Sequence, residues 1–154
     1  MNNSTVLTII EDCQSDLDRV NLIVQGLGPA SHINPYLSQY AIIKACGTIE
    51  ICFKTIIADH CTTNSTKQVK EFINKKVREN SCNPSYSNIC SLLSNFGNEW
   101  NTSFKDKLRK HKNFPNIKTS LQSLVDARNN FAHGGSPSAS VGDILKYFSD
   151  AKDL

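Results

Sequence analysis

The sequence contains no run of 18 apolar residues, the length at which a helix becomes a candidate to cross a membrane. An apolar stretch occurs at Val6 to Ile10, but Glu11 and Asp12 follow it too closely for the core of a signal peptide. We therefore expect a soluble, cytoplasmic protein that does not bind a membrane. The 154 residues, 39% of them hydrophobic, suffice for one domain over residues 1–154.

The C-x2-C spacing that is typical of zinc sites is also absent. A chain of this length needs no disulfides to fold, so we expect its six cysteines to be free, mostly buried thiols: Cys13, Cys46, Cys52, Cys61, Cys82 and Cys90. One local set, Cys52 with His60 and Cys61, has ligand-type side chains but no second ligand pair. The sequence predicts neither a metal site nor another cofactor.

No segment alternates apolar and polar residues as a half-buried strand does, and no repeat or low-complexity segment occurs. Apolar residues instead recur every three or four positions, which indicates amphipathic helices. We predict an all-α, helical bundle with long second and penultimate helices and a short C-terminal helix. The predicted helices cover residues 5–25, 34–60, 65–78, 84–96, about 100–108, 117–132 and 140–148.

Several helix starts have recognisable signals. Asn34-Pro35 and Asn83-Pro84 each place a good N-cap before a proline, which is favoured at the first helical position. Ser65-x-x-Gln68 has the form of a capping box, and Ser140 is placed to cap the last helix. Gly134-Gly135 is a natural stop for the penultimate helix.

Positive charge is concentrated in the middle of the chain. Residues 61–120 carry eleven basic and four acidic side chains, whereas the whole chain has a net charge of only +3. The densest group is Lys105, Lys107, Arg109, Lys110 and Lys112. Such a cluster attracts an anionic polymer through counterion release, so these residues are candidates for RNA binding. A lysine-rich, solvated helix end is the alternative.

Arg128 falls on the same arc of the penultimate helix as Leu121 and Leu124. A guanidinium on an apolar face needs a carboxylate, a phosphate or another subunit as its partner. Glu50 lies between Ile43 and Ile57 on the second helix in the same way, so we expect a Glu50–Arg128 contact. The alternative is an ordinary i,i+4 pair between Glu50 and Lys54.

The segment Arg128-Asn129-Asn130-Phe131-Ala132-His133 places a cation, an amide and an imidazole at the end of this helix. Four residues separate Asn129 from His133, so these two share a helix face. RNA cleavage through the 2′-hydroxyl needs a base, an acid and a cation near the phosphorane. A histidine of unperturbed pKa, about 6.5, serves as either base or acid at neutral pH.

One histidine per chain supplies one proton-transfer role, so a symmetric dimer would supply both. A purely structural interpretation is also open at this stage. In it, His133 interacts with the negative end of its helix and Arg128 forms a core ion pair.

The run Ala127 to Gly134 resembles the Arg-polar-x3-His motif of the HEPN superfamily, small helical bundles that are often metal-independent endoribonucleases. The segments Tyr40–Glu50, Asn83–Pro84 and Val141–Phe148 are similar to the RiboL-PSP-HEPN subgroup. This resemblance implies a homodimer whose two motifs face one cleft. Arg128 and His133 would be the catalytic pair, with Asn129 as the supporting polar residue.

The resemblance also implies a toxin-antitoxin or antiviral defence setting, with an antitoxin or defence protein as a possible partner. HEPN toxins that nucleotidyltransferase antitoxins control carry a tyrosine two residues after the histidine. Here that position is Gly135, which argues against control by adenylylation. The alternatives are a non-catalytic HEPN module that binds RNA or a partner protein, and a dimeric helical scaffold.

Overall fold

The structure, a computed structural model, describes residues 3–136 and 138–154. These residues form an all-α bundle, which confirms the predicted fold class. The helices are α1 Ser4–Leu27, α2 Asn34–Thr62, α3 Lys67–Ile73, α4 Tyr86–Phe96, α5 Asn98–Arg109, α6 Phe114–Ala132 and α7 Val141–Ala151. A π-helical turn, Asn74–Arg78, continues α3. The long second and penultimate helices and the short last helix are as predicted.

Two clusters of buried side chains hold the bundle together, and α2 contributes to both. The larger cluster joins α1, α2, α6 and α7 around Leu17, Ile42, Leu121 and Phe148. The smaller cluster joins α2 to the π-helical turn and α4, through residues such as Phe53, Val77 and Ile89. Because α2 contributes to both clusters, it fixes the positions of the helices in one cluster relative to those in the other.

Helix starts differ from the predicted ones where an asparagine has a partner other than the helix itself. Ile33 is the N-cap of α2, and the Asn34 amide donates to the Gly28 carbonyl at 2.9 Å. Ser85 caps α4 by accepting from the Asn88 N–H, so Asn83 is not the cap that its Asn-Pro sequence predicts. The Asn83 side chain is thereby available for a contact elsewhere.

Two further starts shift for local reasons. Thr66 caps α3, because the Ser65 hydroxyl donates to the Cys61 carbonyl at 2.7 Å instead. The capping box predicted at Ser65 is therefore wrong. Helix α6 begins at Phe114, three residues before the predicted start, since Pro115 occupies its first turn. Ser140 caps α7 in a complete capping box, as predicted.

Candidate functional site

The C-terminal end of α6 carries the motif residues. Leu121 and Leu124 are buried, and Arg128 continues their stripe at a half-buried position. His133 is the C-cap residue of α6 and is exposed, and its backbone N–H donates to the Asn129 carbonyl at 3.1 Å. The helix end therefore carries an accessible imidazole and, five residues earlier, a half-buried guanidinium.

The Asn129 side chain is fixed by two donors. Its Oδ1 accepts a hydrogen bond from the Asn83 amide at 3.1 Å and one from Arg128 Nη1 at 3.5 Å. Asn129 therefore links Arg128 to the connection before α4. No side-chain hydrogen bond of His133 occurs within the part of the chain that the structure describes, so its ring is free to meet a substrate.

Sequence reasoning missed the role of the Asn80–Asn83 connection. Glu50 Oε1 accepts the Cys82 backbone N–H at 2.9 Å, and Lys54 Nζ donates to the Asn80 carbonyl at 2.5 Å. These two contacts fasten the connection to α2. Asn83, which follows directly, then reaches Asn129 on α6. The connection thus joins two helices at the motif, and the Asn83-Pro84 pattern alone does not show this.

The predicted contact between Glu50 and Arg128 is wrong. Glu50 forms its ion pair with Lys54, one turn further along α2, at 2.9 Å. The two side chains are only 18% and 8% exposed, and both also bind backbone groups of the connection. Glu50 pairs with Lys54 and not with Arg128 because Lys54 is on the same helix and has a second acceptor in the Asn80 carbonyl. Arg128 forms no ion pair among the described residues, so its charge is available to a ligand.

Cys46 places Arg128 relative to α2. Burial raises the pKa of the Cys46 thiol to about 11; the positive charge of Arg128 opposes this shift, and the negative charge of Glu50 adds to it. Both the Arg128 guanidinium and the Glu50 carboxylate are therefore close enough to this buried thiol to influence its pKa, and Glu50 pairs with Lys54 instead of Arg128. Cys46 itself stays a neutral thiol at physiological pH, as do the other free cysteines of raised pKa.

The turn after His133 is tightly built. Gly134 has a φ of +82°, in the left-handed region that favours glycine. A side chain at Gly135 would overlap the Asn130 amide, whose Nδ2 donates to the Ser136 carbonyl at 3.0 Å. The Gly135 N–H in turn donates to the Asn130 carbonyl at 2.9 Å. A tyrosine at position 135 does not fit this turn.

The basic cluster predicted to bind RNA lies at the other end of α6. Lys107, Arg109, Lys110 and Lys112 are exposed, and Lys105 is half-buried. Arg109 approaches Asp106 at 3.8 Å, an exposed pair that contributes little. Fourteen residues of helix separate Phe114 from Arg128, which corresponds to about 21 Å. Within one chain, this cluster therefore lies far from the motif.

No group of three or more His, Cys, Asp or Glu side chains that could hold a metal occurs within residues 3–136 and 138–154. The His60 ring packs edge-on against Trp100, with ring centroids 5.1 Å apart. None of the described helices is long and apolar enough to cross a membrane.

Comparison with protein-family models matches residues 6–154 to the RiboL-PSP-HEPN family. No curated protein and no solved structure matches the chain. The family match covers α2 to α7 and all but the first two residues of α1, and it includes the motif at the end of α6 and the connection that supports it. Because the family model spans nearly the whole chain, the protein belongs to the RiboL-PSP-HEPN family of the HEPN superfamily.

Proposed function

We propose that the protein is a metal-independent endoribonuclease. The observation that carries this proposal is the end of α6, where the exposed imidazole of His133 and the half-buried guanidinium of Arg128 lie within two turns. RNA-related functions are typical of the family to which the chain belongs. Arg128 has no carboxylate partner among the described residues, and a phosphate would supply the missing anion.

In the proposed reaction the 2′-oxygen attacks the adjacent phosphorus, and the bond from phosphorus to the 5′-oxygen breaks. One imidazole takes the proton of the 2′-hydroxyl, and a second gives a proton to the leaving 5′-oxygen. Arg128 stabilises the charge that develops on the phosphorane oxygens. Asn129, which Asn83 orients, holds Arg128 in place. The products are a 2′,3′-cyclic phosphate and a 5′-hydroxyl, with no water consumed.

The second imidazole requires a second copy of the chain, and α2 offers a surface for it. One stripe of α2 contains four exposed apolar residues: Tyr36, Tyr40, Ile43 and Ile51. Gly47 lies in the same stripe, between Ile43 and Ile51. At 100° per residue these five positions lie within an arc of about 80°. An exposed apolar stripe on a long helix is typical of a helix-helix interface between subunits.

The position of this α2 stripe supports a homodimer with a shared site. Gly47 directly follows Cys46, the residue whose thiol senses the charge of Arg128. No atom comes within 4 Å of a Cβ placed at Gly47, so the backbone of a partner helix has room to approach there. Two chains that pack through the stripe therefore bring their Arg128 side chains to the edges of one interface.

We place this activity in the cytoplasm, in a toxin-antitoxin or antiviral defence setting, with a partner protein that restrains it. The turn at Gly135 supports a restraint other than adenylylation of a tyrosine at that position, because the Asn130 amide occupies the space. Blocking access to His133 by a bound protein is a form of control that this geometry allows.

The test is cleavage of single-stranded RNA in EDTA. We expect wild type to cut and Arg128→Ala and His133→Ala to lose at least about 100-fold in rate, the low end for general acid-base groups. His60→Ala, which changes an exposed histidine at the end of α2, is the matched control and stays active. New 5′ ends should accept phosphate from a kinase without prior phosphatase treatment.

Equal cutting by all variants would assign the activity to a contaminant. Binding without cutting would instead support the alternative, a non-catalytic module that holds RNA. If the protein neither binds nor cleaves RNA, the result would support the remaining alternative, a dimeric helical scaffold.

A further inference from the structure

A second positively charged surface lies on α3 and the π-helical turn. Ile73 and Val77 are buried and face α2, whereas the four lysines of this segment are exposed: Lys67, Lys70, Lys75 and Lys76. We call these four lysines together with Phe72 the α3 surface. The α3 surface is separate from the densest basic cluster of the sequence, at residues 105–112.

Phe72 is the unusual member of the α3 surface. Its side chain is 61% exposed, whereas the other six phenylalanines of the chain are buried or half-buried. It precedes Lys75 and Lys76 by three and four positions, so an aromatic face and two ammonium groups occur within one turn. Proteins that bind single-stranded nucleic acids combine aromatic side chains, on which bases stack, with basic side chains that contact the phosphates.

The charges of the α3 surface are largely uncompensated. Lys67 approaches Glu71 at 3.9 Å in an exposed pair, and Lys70, Lys75 and Lys76 form no ion pair within the described residues. Arg78 is different, because it turns inward to pair with Asp59 and to donate to Thr55 at 3.3 Å. Arg78 thereby anchors the π-helical turn to α2 and leaves the lysines facing solvent.

The α3 surface is also connected to the motif. Arg78 contacts α2 at Thr55, and nine residues of helix separate Thr55 from Cys46, beside Arg128, which corresponds to about 14 Å. The connection that starts after Arg78 runs along α2 through Lys54 and Glu50 to Asn83. A few nucleotides of extended chain cover this length of α2.

We propose that the α3 surface is a binding site for single-stranded RNA outside the cleavage site. One base stacks on Phe72, and the flanking phosphates meet Lys75 and Lys76. This inference rests on the proposed function and adds to it that the substrate is single-stranded on one side of the cut. A duplex fits poorly, because its bases are already stacked on each other and present no free face to Phe72.

The experiment measures binding of a fluorescent, 2′-O-methylated single strand of mixed sequence, which has no 2′-hydroxyl to react. Binding is then read independently of cleavage. Phe72→Ala should raise the dissociation constant roughly tenfold, which is in the range for loss of one stacked base, and Phe72→Trp should bind as wild type does. Leu22→Ala, at a 67% exposed apolar position on α1, is the matched control and should leave binding unchanged.

Charge is tested by a double substitution at each basic region. Lys75→Gln with Lys76→Gln should lower the slope of log K against log salt by about 1.4, for two lost phosphate contacts on a single strand. Lys107→Gln with Lys110→Gln removes the same charge from the other cluster and should change the slope less.

The inference is overturned if Phe72→Ala binds the single strand as wild type does, or if wild type binds a duplex of the same sequence more tightly. It is also overturned if Phe72→Ala changes only the sedimentation coefficient, since Phe72 then contacts protein. A wild type that binds through Phe72 but never cuts unmodified RNA retains the α3 surface as an RNA site and refutes the nuclease proposal alone.

Discussion

The Asn83 amide donates a 3.1 Å hydrogen bond to Asn129 Oδ1, and the two residues are 46 positions apart. This contact ties the motif on α6 to a connection that α2 holds through Glu50 and Lys54. Asn83 is therefore a positioning residue: it reaches Arg128 only through Asn129. The quality of the site depends on three separate parts of the chain, although its motif is one short segment.

We predict that Asn83→Ala lowers kcat for RNA cleavage about tenfold, with little change in KM. The reason is that Asn129 loses one donor, which is worth about 1 kcal/mol, and Arg128 loses its fixed neighbour. Steady-state kinetics in EDTA measure this split. Asn95→Ala, at an exposed position on α4, is the control. An unchanged kcat, or an equal loss in both variants, would show that the Asn83 contact does not position the site.

Glu50→Gln should destabilise the protein by about 3 kcal/mol, because it leaves the buried Lys54 ammonium without its carboxylate. Urea unfolding monitored by circular dichroism gives the free energy of unfolding. The double variant Glu50→Gln with Lys54→Met should recover much of the loss, since no buried charge remains unpaired.

Arg128→Ala, by contrast, should cost less than about 1 kcal/mol, because Arg128 makes one long hydrogen bond and no ion pair among the described residues. Arg78→Ala, which breaks the ion pair with Asp59, is the comparison of the same residue type and should cost more. A large loss of stability in Arg128→Ala would revive a structural role for this residue.

The order and length of the helices follow from local patterns, because burial of one face repeats every three to four residues along the chain. The same periodicity places Arg128 beside Leu121 and Leu124, and the structure agrees. Cap signals were less reliable. Asn83-Pro84 and Ser65 have the residues of a cap, but their side chains bind Asn129 and the Cys61 carbonyl.

Contacts between side chains that are distant in the sequence could not be predicted from local patterns. Glu50 had two plausible cationic partners, and the choice depends on backbone groups of Asn80 and Cys82 that fold against α2. Those groups need partners when buried, and Glu50 with Lys54 satisfies both. No pattern within α2 or α6 indicates that this connection passes there.

Gly135→Ala should destabilise the protein by about 1–3 kcal/mol, which is typical of an overpacked site, and should reduce cleavage through a displaced His133. Its Cβ would overlap Asn130 Oδ1 and lie 2.9 Å from the Asn130 carbonyl. Thermal unfolding and the EDTA assay measure both effects. Gly26→Ala, where no atom lies within 4 Å, is the control and should stabilise α1 slightly. Wild-type behaviour of Gly135→Ala would mean that the turn rearranges freely.

Stability should fall as pH rises from about 9 to 11. Burial raises the folded-state pKa of Cys46 and of Cys52 from 9.0 to about 11. The folded state therefore holds protons that the unfolded state releases, so the contribution is complete below pH 9 and is lost above it. Urea unfolding at several pH values measures the decline. Cys46→Ala should make it shallower, and an unchanged slope in that variant would contradict the assignment to this thiol.

In the proposed homodimer each chain supplies one of the two proton-transfer groups, so Ile43→Glu should yield a monomer and lower cleavage at least about 100-fold. Ile43 is 51% exposed, so the substitution leaves the core intact and places a charge in the middle of the apolar stripe of α2. Sedimentation velocity gives the oligomeric state, and circular dichroism checks the fold. Leu22→Glu, on α1, carries the same change outside the stripe and should remain dimeric and active. A monomeric wild type that still cuts RNA would require both proton transfers from one chain, and would rule out the composite site.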